Sequence, residues 1–487
     1  MSAETVVLGI DLATAGARCV ALDAESGAVL AQATGALAPP VRSGRGSSTQ
    51  EATYAAVALD LVRQVCAALG ASAARIRAVS VTGTSGTVVP VDAAGTPVGD
   101  ARLYDDLSGA DAAVSQGISP SSMLGRMHSL LPVTGVRRMV PTVDVVAAAL
   151  VGAAVASDTS HTLKAGIDLT ALTWPVSRME ALGLPTDDLP SLVPPGTILG
   201  VVSAAVATRL GLPTDVLVIA GMTDGCTAQL STGAIHAGDS MGVLGTTLVL
   251  KGVSDHDIRT DDGAVYSHLS PAGDYWPGGA SSSGAGVIAV TFPGIGPAAL
   301  ADMDQRAADR GPATVVAYPL ARTGERFPVA DPGLTSLTSG EPVDEVDAYR
   351  AILEGVAFIE RLGLETLAGL GAPTRRHTLT GGASGSRVWN TLRATVIGGP
   401  RSGVPVVRIP LSGSAIGAAV LAAHGLMSST TTGATPTPFA TTVGRLVARG
   451  IDVEPDLDES EELEDSYREF VALLDHHRST AASAVGP

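Results

Sequence analysis

The sequence predicts an α/β fold built twice over, and three observations predict it. The chain opens on a strand, a tight turn and a second strand, VVLGIDLATAGARCVALD at residues 6–23. Strands and helices then alternate, with apolar runs bounded by Gly/Ser/Thr turns. The opening pattern returns mid-chain, where DSMGVLGTTLVLKG at residues 239–252 is again strand, turn and strand. Such self-similarity marks an internal duplication. Each half is expected to be a mixed sheet flanked by helices, with a hairpin turn from each half facing a shared cleft, where ligands usually bind.

The elements follow in order. A third strand is expected over Ala28–Thr34, then a helix over Thr53–Leu69 with Val57, Leu61, Val65 and Ala68 at helical spacing. IRAVSVTGTSGTVVPVDAAGTP reads as a strand, a Gly/Thr/Ser turn and another strand, and helices are expected over Asp144–Val155 and Val201–Leu210. VLVIAGMTDGCTAQLSTGA is a buried strand, a turn and a helix opening near Asp224. In the second half a helix runs over Asp344–Leu370, with Ile352, Val356, Ile359 and Leu362 three or four apart. RHTLTGGASGSRVWNTLRATVIG gives a strand, the Gly381-Gly382 turn and a helix, and another helix covers Ser414–His424. Ser428–Pro438 is a low-complexity connector. The acidic tail is a helix packed on the second domain, with Tyr467, Phe470 and Leu473/Leu474 on one side. The expected domains are 1–237, 238–427 and a tail of 428–487.

Composition narrows the class. With 487 residues the chain can build two or more cores, and with only 3% aromatics these must be made of Val, Leu, Ile and Ala. The net charge of −17 and the lack of a Lys/Arg-rich stripe argue against nucleic acid or an anionic membrane as partner. No run of about twenty apolar residues and no N-terminal targeting signal is seen, so a cytoplasmic protein is expected. Cys19, Cys66 and Cys226 lack Cys-x-x-Cys spacing and read as reduced thiols, and no His-x-x-x-His pair suggests a histidine-based metal site.

Three places carry residues suited to chemistry. Asp11 and Thr14 stand at the mouth of the first hairpin, where amides and a hydroxyl can cradle anionic oxygens and an acid can hold Mg²⁺ through water. Asp224 is either the N-cap of its helix or a carboxylate that accepts a hydroxyl proton during phosphoryl transfer. A helix N-terminus lowers a carboxylate's pKa, which phosphoryl transfer tolerates because orientation and electrostatics dominate it. Gly381-Gly382-Ala383 are small enough to let a flat base approach, or form a plain turn. Trp389, one turn into the next helix, suits that site or the core equally.

Taken together, in order and at these spacings, the stretches resemble the FGGY carbohydrate kinases, a branch of the actin-like, ribonuclease-H-like ATPases. Asp11 to Arg18 resembles the family's first phosphate motif, GMTDGCTAQL the catalytic-aspartate region, GVLGTTLVL the second phosphate motif and TGGASGSRVW the adenosine motif. GSAIGAAVLAAHG is similar to the family's Ala/Gly-rich helix. YPLARTGERFPVADP, ILEGVAFIERLGLETLAGLGA and ASDTSHTLKAGIDL resemble a D-ribulokinase-like branch. The resemblance implies two duplicated ribonuclease-H-like domains with a catalytic cleft between them, and MgATP-dependent phosphorylation of a terminal hydroxyl on a small ketose, D-ribulose first.

By the same resemblance Asp224 is the base and also a substrate contact, and Asp11 is the metal-side carboxylate. Thr14, Ala15, Arg18, Gly245 and Thr246 meet the phosphates, Gly382, Ala383 and Ser386 the adenosine side, and Ser85, Asp105 and Asp106 the sugar. ATP, Mg²⁺ and a sugar are the implied ligands, and the chain is expected as a monomer or a homodimer. There are departures. Ala13 and Ala15 replace the usual glycine and serine, Ser386 stands where asparagine is common, and Trp-x-Asp-x-Arg is reduced to Tyr104-Asp105-Asp106-Leu107-Ser108, without arginine. Two further readings follow from them: a kinase for another pentulose or polyol (D-xylulose, L-ribulose, ribitol, glycerol), or a degenerate member that binds sugar or nucleotide without turnover. A sugar-independent ATPase of the same superfamily is the third.

Overall fold

The computed structural model describes residues 5–399, 402–430 and 438–484. They fall into two compact units, one drawn from 1–233, 268–273 and 413–447, the other from 234–267, 274–412 and 448–487. Most of the expected connector, residues 431–437, lies outside the described residues.

The first unit is organised by a six-stranded sheet: β1 (Val6–Leu12), β2 (Gly16–Asp23), β3 (Val29–Ala36), β4 (Ile76–Gly83), β5 (Ile198–Val201) and β6 (Leu217–Ile219), in the order β3-β2-β1-β4-β6-β5. β1, β4 and β6 are parallel, and β2, β3 and β5 run antiparallel to their neighbours. Side chains alternate across the pleat. Val6, Leu8, Ile10 and Leu12 therefore share one core with Ala58, Leu61, Val62 and Val65 of the helix Tyr54–Leu69. Gly9 faces the other way, where a Cβ would stand 1.9 Å from the carbonyl of Ala415. The helix Ser414–Thr430 thus lies directly on β1, and its buried Ala418, Ala419, Ala422 and Ala423 are the small residues such an approach requires.

That approach explains a difference from the sequence reading, which places residues 414–427 in the second domain. The helix groups with the first unit because it packs on that unit's sheet. Two other helices are shorter than expected. Residues 142–151 are closed by left-handed Gly152 (φ 82°), and residues 204–210 begin after β5 has taken 198–201. The segment Tyr54–Arg75, at mean hydropathy 1.4, is long and apolar enough by length and composition to cross a membrane. Its apolar face is filled by the unit's own core, and its outer face carries the Asp60–Arg63 pair.

The second unit repeats the arrangement. β7 (Asp239–Leu244), β8 (Leu248–Gly252), β9 (Tyr275–Ala280), β10 (Arg376–Thr380), β11 (Val406–Arg408) and β12 (Ile451–Asp452) stand in the order β9-β8-β7-β10-β11-β12. Again a parallel trio, here β7, β10 and β11, is flanked by antiparallel strands. The duplication is one of topology as well as of pattern. The helix Glu345–Gly369, capped by Asp344 accepting from Asp347 N at 2.9 Å, fills the core beside this sheet. The acidic helix Ser460–Ala484 adds Leu463, Tyr467, Phe470 and Leu474, with Tyr467 under the Arg361 guanidinium at 3.8 Å. Trp389 is a core residue, its indole N–H donating to Leu353 O.

Candidate functional site

Because β1, β4 and β6 are parallel, their carboxyl ends meet at one edge of the first sheet, the edge where open α/β sheets place ligands. Asp11 is near the end of β1, opposite Arg18 of β2 and Thr82 of β4. Gly83 forms a parallel bridge with Thr223, and the helix Asp224–Thr232 starts there. Thr82 Oγ1 donates to Met222 O at 2.7 Å and binds Thr227 Oγ1 at 2.9 Å, fixing the start of that helix against β4. The N-cap position belongs to Thr223. Asp224 is the first helical residue, its Oδ1 accepting from Gly225 N at 2.7 Å.

Asp11 Oδ1 is buried and has no hydrogen-bond partner. Burial and then the nearby Asp224 carboxylate push the Asp11 pKa up to about 7, against the pull of Arg18. Two carboxylates in each other's field, one with an orphaned oxygen, suit a divalent cation. Among the described residues no three His, Cys, Asp or Glu side chains gather into a cage. That donor set fits Mg²⁺, which keeps waters and substrate phosphates as its remaining ligands. The turn after β1 is held by Ala13 N donating to Gly16 O at 3.0 Å and by Gln50 Nε2 donating to Thr14 O at 2.7 Å. Among the described residues the non-glycines with positive φ are Leu172 and Asp188, so Ala13 and Ala15 replace the motif's usual residues without backbone strain. Ala15 and Arg18 are exposed, and Thr14 is half-buried.

Ser85 lies just beyond β4, its Oγ buried and without a partner. The pair Asp105-Asp106 divides. Asp106 is fully buried, and its carboxylate accepts from Ser48 N at 2.6 Å, Ser108 N at 3.0 Å and Ser108 Oγ. Its carboxylate is buried and committed to holding its loop, unlike the sugar contact expected of Asp106. Asp105 Oδ2 accepts from Arg42 Nη2 at 3.0 Å, and its Oδ1 is buried and unpartnered.

The sequence reading gave no role to several polar residues of this unit. Ser157 to Thr162 are all buried. Within that stretch Asp158 accepts from His161 N at 2.8 Å and meets His161 Nδ1 at 2.7 Å, and Ser160 Oγ accepts from Thr223 N at 3.0 Å. Asp158 and its hydrogen bond outweigh burial and raise the His161 pKa. Burial and the Asp158 charge push Asp144 up to about 8. Arg126, fully buried, also went unmarked. The signal available was a run of polar residues at SDTSHT whose neighbours are strand and helix, where an exposed loop is the ordinary expectation.

In the second unit the parallel trio repeats the design. Val243 pairs with Thr380, so the turns that follow β7 and β10 lie side by side. Gly245 to Thr247 form the first turn, with Gly245 N donating to Thr247 O at 3.1 Å and Gly286 N to Thr246 O at 3.0 Å. Gly381 needs its positive φ of 95°, and a Cβ there would meet Leu244 O at 2.5 Å. Gly382 is different: a Cβ on it meets nothing within 4 Å, and one on Gly245 only Thr247 O at 3.9 Å. Both turns face open space, with Thr246 exposed and Ala383 half-buried. Ser386 caps the helix Arg387–Gly398 by accepting from Trp389 N at 3.1 Å, and donates to Asp304 Oδ2 at 2.7 Å. Its hydroxyl is committed within the protein. Asn390 donates to Ser384 O at 2.7 Å and leaves Oδ1 unpartnered, and Ser384 Oγ donates to Gly381 O at 2.7 Å, so both side chains hold this turn.

Each unit thus carries a parallel trio of strands flanked by antiparallel ones, ending near an acid in the first unit and in glycine turns in the second. Residues 232–426 match the model of the FGGY family of carbohydrate kinases, C-terminal domain. It is similar to the xylulose kinase of Escherichia coli (strain K12), 26% identical over 239 residues, which are 48% of this chain and 49% of the relative. It is also similar to the ribulokinase of Mycolicibacterium smegmatis, 27% identical over 246 residues, 47% of this chain and 43% of that one. The chain thus spans about half the length of the curated relatives it matches. Its fold is that of the xylulose kinase from Rhodospirillum rubrum, with a TM-score of 0.83 at 24% identity over 98% of this chain and 99% of the other.

Proposed function

We propose that the protein is an ATP-dependent carbohydrate kinase that transfers the γ-phosphoryl group of MgATP to a terminal hydroxyl of a small ketose, with D-ribulose first among the acceptors. One observation carries this reading. Among the described residues, three of the side-chain oxygens left buried without a partner are Asp11 Oδ1, Ser85 Oγ and Asp105 Oδ1. All three belong to the stretches that the motifs assign to metal and sugar. Buried polar atoms are satisfied in the great majority of cases, and an orphan needs a reason such as a ligand or ion.

In this reading Asp224 accepts the proton of the attacking hydroxyl as the new P–O bond forms and the bond to the ADP oxygen breaks. Orientation of the hydroxyl is its larger contribution. Thr14, Ala15, Arg18, Gly245 and Thr246 bind the phosphates through N–H groups, a hydroxyl and a guanidinium, and Gly382 and Ala383 leave room for adenosine. Mg²⁺, held on the Asp11 side, supplies charge neutralisation on the phosphate oxygens. Ser85 and Asp105 orient the sugar. The reading includes a cytoplasmic location, with Cys19, Cys66 and Cys226 free and buried in a reducing compartment.

The test is ADP release with MgATP across D-ribulose, D-xylulose, L-ribulose, ribitol and glycerol, with a no-sugar blank and Asp224→Asn beside it. Sugar-dependent release that falls by about 10²–10⁴-fold in the variant supports the kinase and ranks its acceptors. A flat panel from folded protein supports a binding protein without turnover. Release that ignores the sugar supports an ATPase.

A further inference from the structure

Arg126 lies on the short helix Met123–Ser129 and is 1% exposed. Its guanidinium makes no ion pair within salt-bridge distance among the described residues and instead donates to three backbone carbonyls: Nε to Gly86 O at 2.7 Å, Nη1 to Tyr104 O at 3.1 Å and Nη2 to Ser121 O at 3.0 Å. Two of these carbonyls belong to the segments that present Ser85 and Asp105, the residues with orphaned oxygens. Gly86 has φ 87°, and a Cβ there would stand 2.7 Å from Arg126 Nη2 and 3.0 Å from Lys164 Cδ, so the turn is seated tightly on the arginine. Lys164 Nζ donates to Ser85 O at 3.3 Å, and Ser122 Oγ donates to Lys164 O at 3.1 Å, closing the arrangement behind the turn.

Burying a guanidinium is costly, and burial lowers the Arg126 pKa to about 10. The Asp106 and Asp105 charges act on it without a direct ion pair, and all three of its hydrogen bonds go to loop carbonyls, which calls for an explanation in position. A rigid planar fork fixes several acceptors in one geometry, which an ammonium on a flexible stem does less well. We infer that Arg126 is the positioning residue of the acceptor subsite, supplying from a separate helix the guanidinium that the Tyr104–Ser108 stretch lacks and holding Ser85 and Asp105 in register for the sugar. This rests on the kinase reading above. Arg126 does not touch the sugar. It acts through the two segments it ties together.

The experiment compares wild type, Arg126→Lys, Arg126→Met and Ser85→Ala in ADP release, with sugar and ATP titrated separately and melting curves for each. Arg126→Lys is expected to raise the sugar KM by about tenfold while kcat at saturating sugar and the ATP KM stay within about twofold. Arg126→Met is expected to raise it further, with lysine a partial rescue relative to methionine. Ser85→Ala removes an oxygen with no protein partner, so it should melt as wild type does and raise the sugar KM as well. If Arg126→Lys leaves the sugar KM unchanged in an active, folded protein, the inference fails and the kinase reading stands. If instead both KM values and kcat worsen together with a drop in melting temperature, Arg126 is only structural. A wild type with no sugar-dependent release overturns the kinase reading itself, and the inference with it.

Discussion

Ser160 Oγ accepts the backbone N–H of Thr223 at 3.0 Å, tying the buried stretch Ser157–Thr162 to the first turn of the helix that carries Asp224. Ser160 also binds His268 Nδ1 at 3.0 Å, so one hydroxyl serves two buried groups. Ser160→Ala leaves the Thr223 N–H without its partner, a loss of about 1–3 kcal/mol. Urea unfolding should show that loss. Sugar-dependent kcat should fall several-fold as well, because Asp224 depends on the same helix start.

Asp105 and Asp106 are neighbours with opposite expected behaviour. Asp106→Ala strips the acceptor from Ser48 N, Ser108 N and Ser108 Oγ inside a sealed loop, and should destabilise by about 2–4 kcal/mol. Asp105→Ala gives up one exposed ion pair with Arg42, worth about 0–1 kcal/mol, and its orphaned oxygen. It should melt within a degree or two of wild type and raise the sugar KM. Equal melting curves for the two variants would contradict the division of roles.

Much of this was legible in the sequence because it is written locally. Period-two strands, the Gly/Thr turns between them and the acid closing Val6–Asp11 are read within a dozen residues, and the second hairpin repeats the first. What was not legible depends on distant partners. Arg126, on a helix too short to show a pattern, finds two of its three carbonyls 22 and 40 residues away. The stretch SDTSHT is polar, and polarity ordinarily signals exposure; its burial follows from hydrogen bonds to Asp144 and Thr223. Nor does adjacency tell Asp105 from Asp106, since the inward carboxylate is held by Ser48, 58 residues away, as well as by nearby Ser108.

Gly381 and Gly382 separate folding from binding in the second unit. Gly381→Ala forces a Cβ against Leu244 O and a side chain onto a φ of 95°, and should cost about 1–3 kcal/mol or more. Gly382→Val meets no protein atom within 4 Å at its Cβ. It should keep the wild-type melting temperature to within a few degrees and raise the ATP KM by about tenfold or more, because the branched side chain fills the room left for the nucleotide. Steady-state kinetics with ATP varied, beside a melting curve, decide it. An unchanged ATP KM would remove Gly382 from the nucleotide site.

The buried carboxylate of Glu360 gives the second unit a pH signature. It accepts from Arg393 Nε and Nη2 at 2.6 Å each and meets His377 Nε2 at 3.0 Å, all three side chains fully enclosed. Burial alone would raise its pKa, but the Arg393 charge and hydrogen bonds, with those of His377, hold it at about 2, below the ordinary 4.5. A carboxylate depressed on folding stabilises the folded state above the unfolded pKa and loses that contribution as pH falls through the folded one. The stabilisation is therefore complete above about pH 4.5 and fades toward pH 2. Glu360→Gln leaves Arg393 buried without its counter-charge and should cost about 3–5 kcal/mol at pH 7. Urea unfolding of both proteins from pH 7 to pH 2 should show a gap that is constant down to about pH 4.5 and narrows below it. A gap that stays the same to pH 2 would mean that folding leaves the Glu360 pKa at its ordinary value.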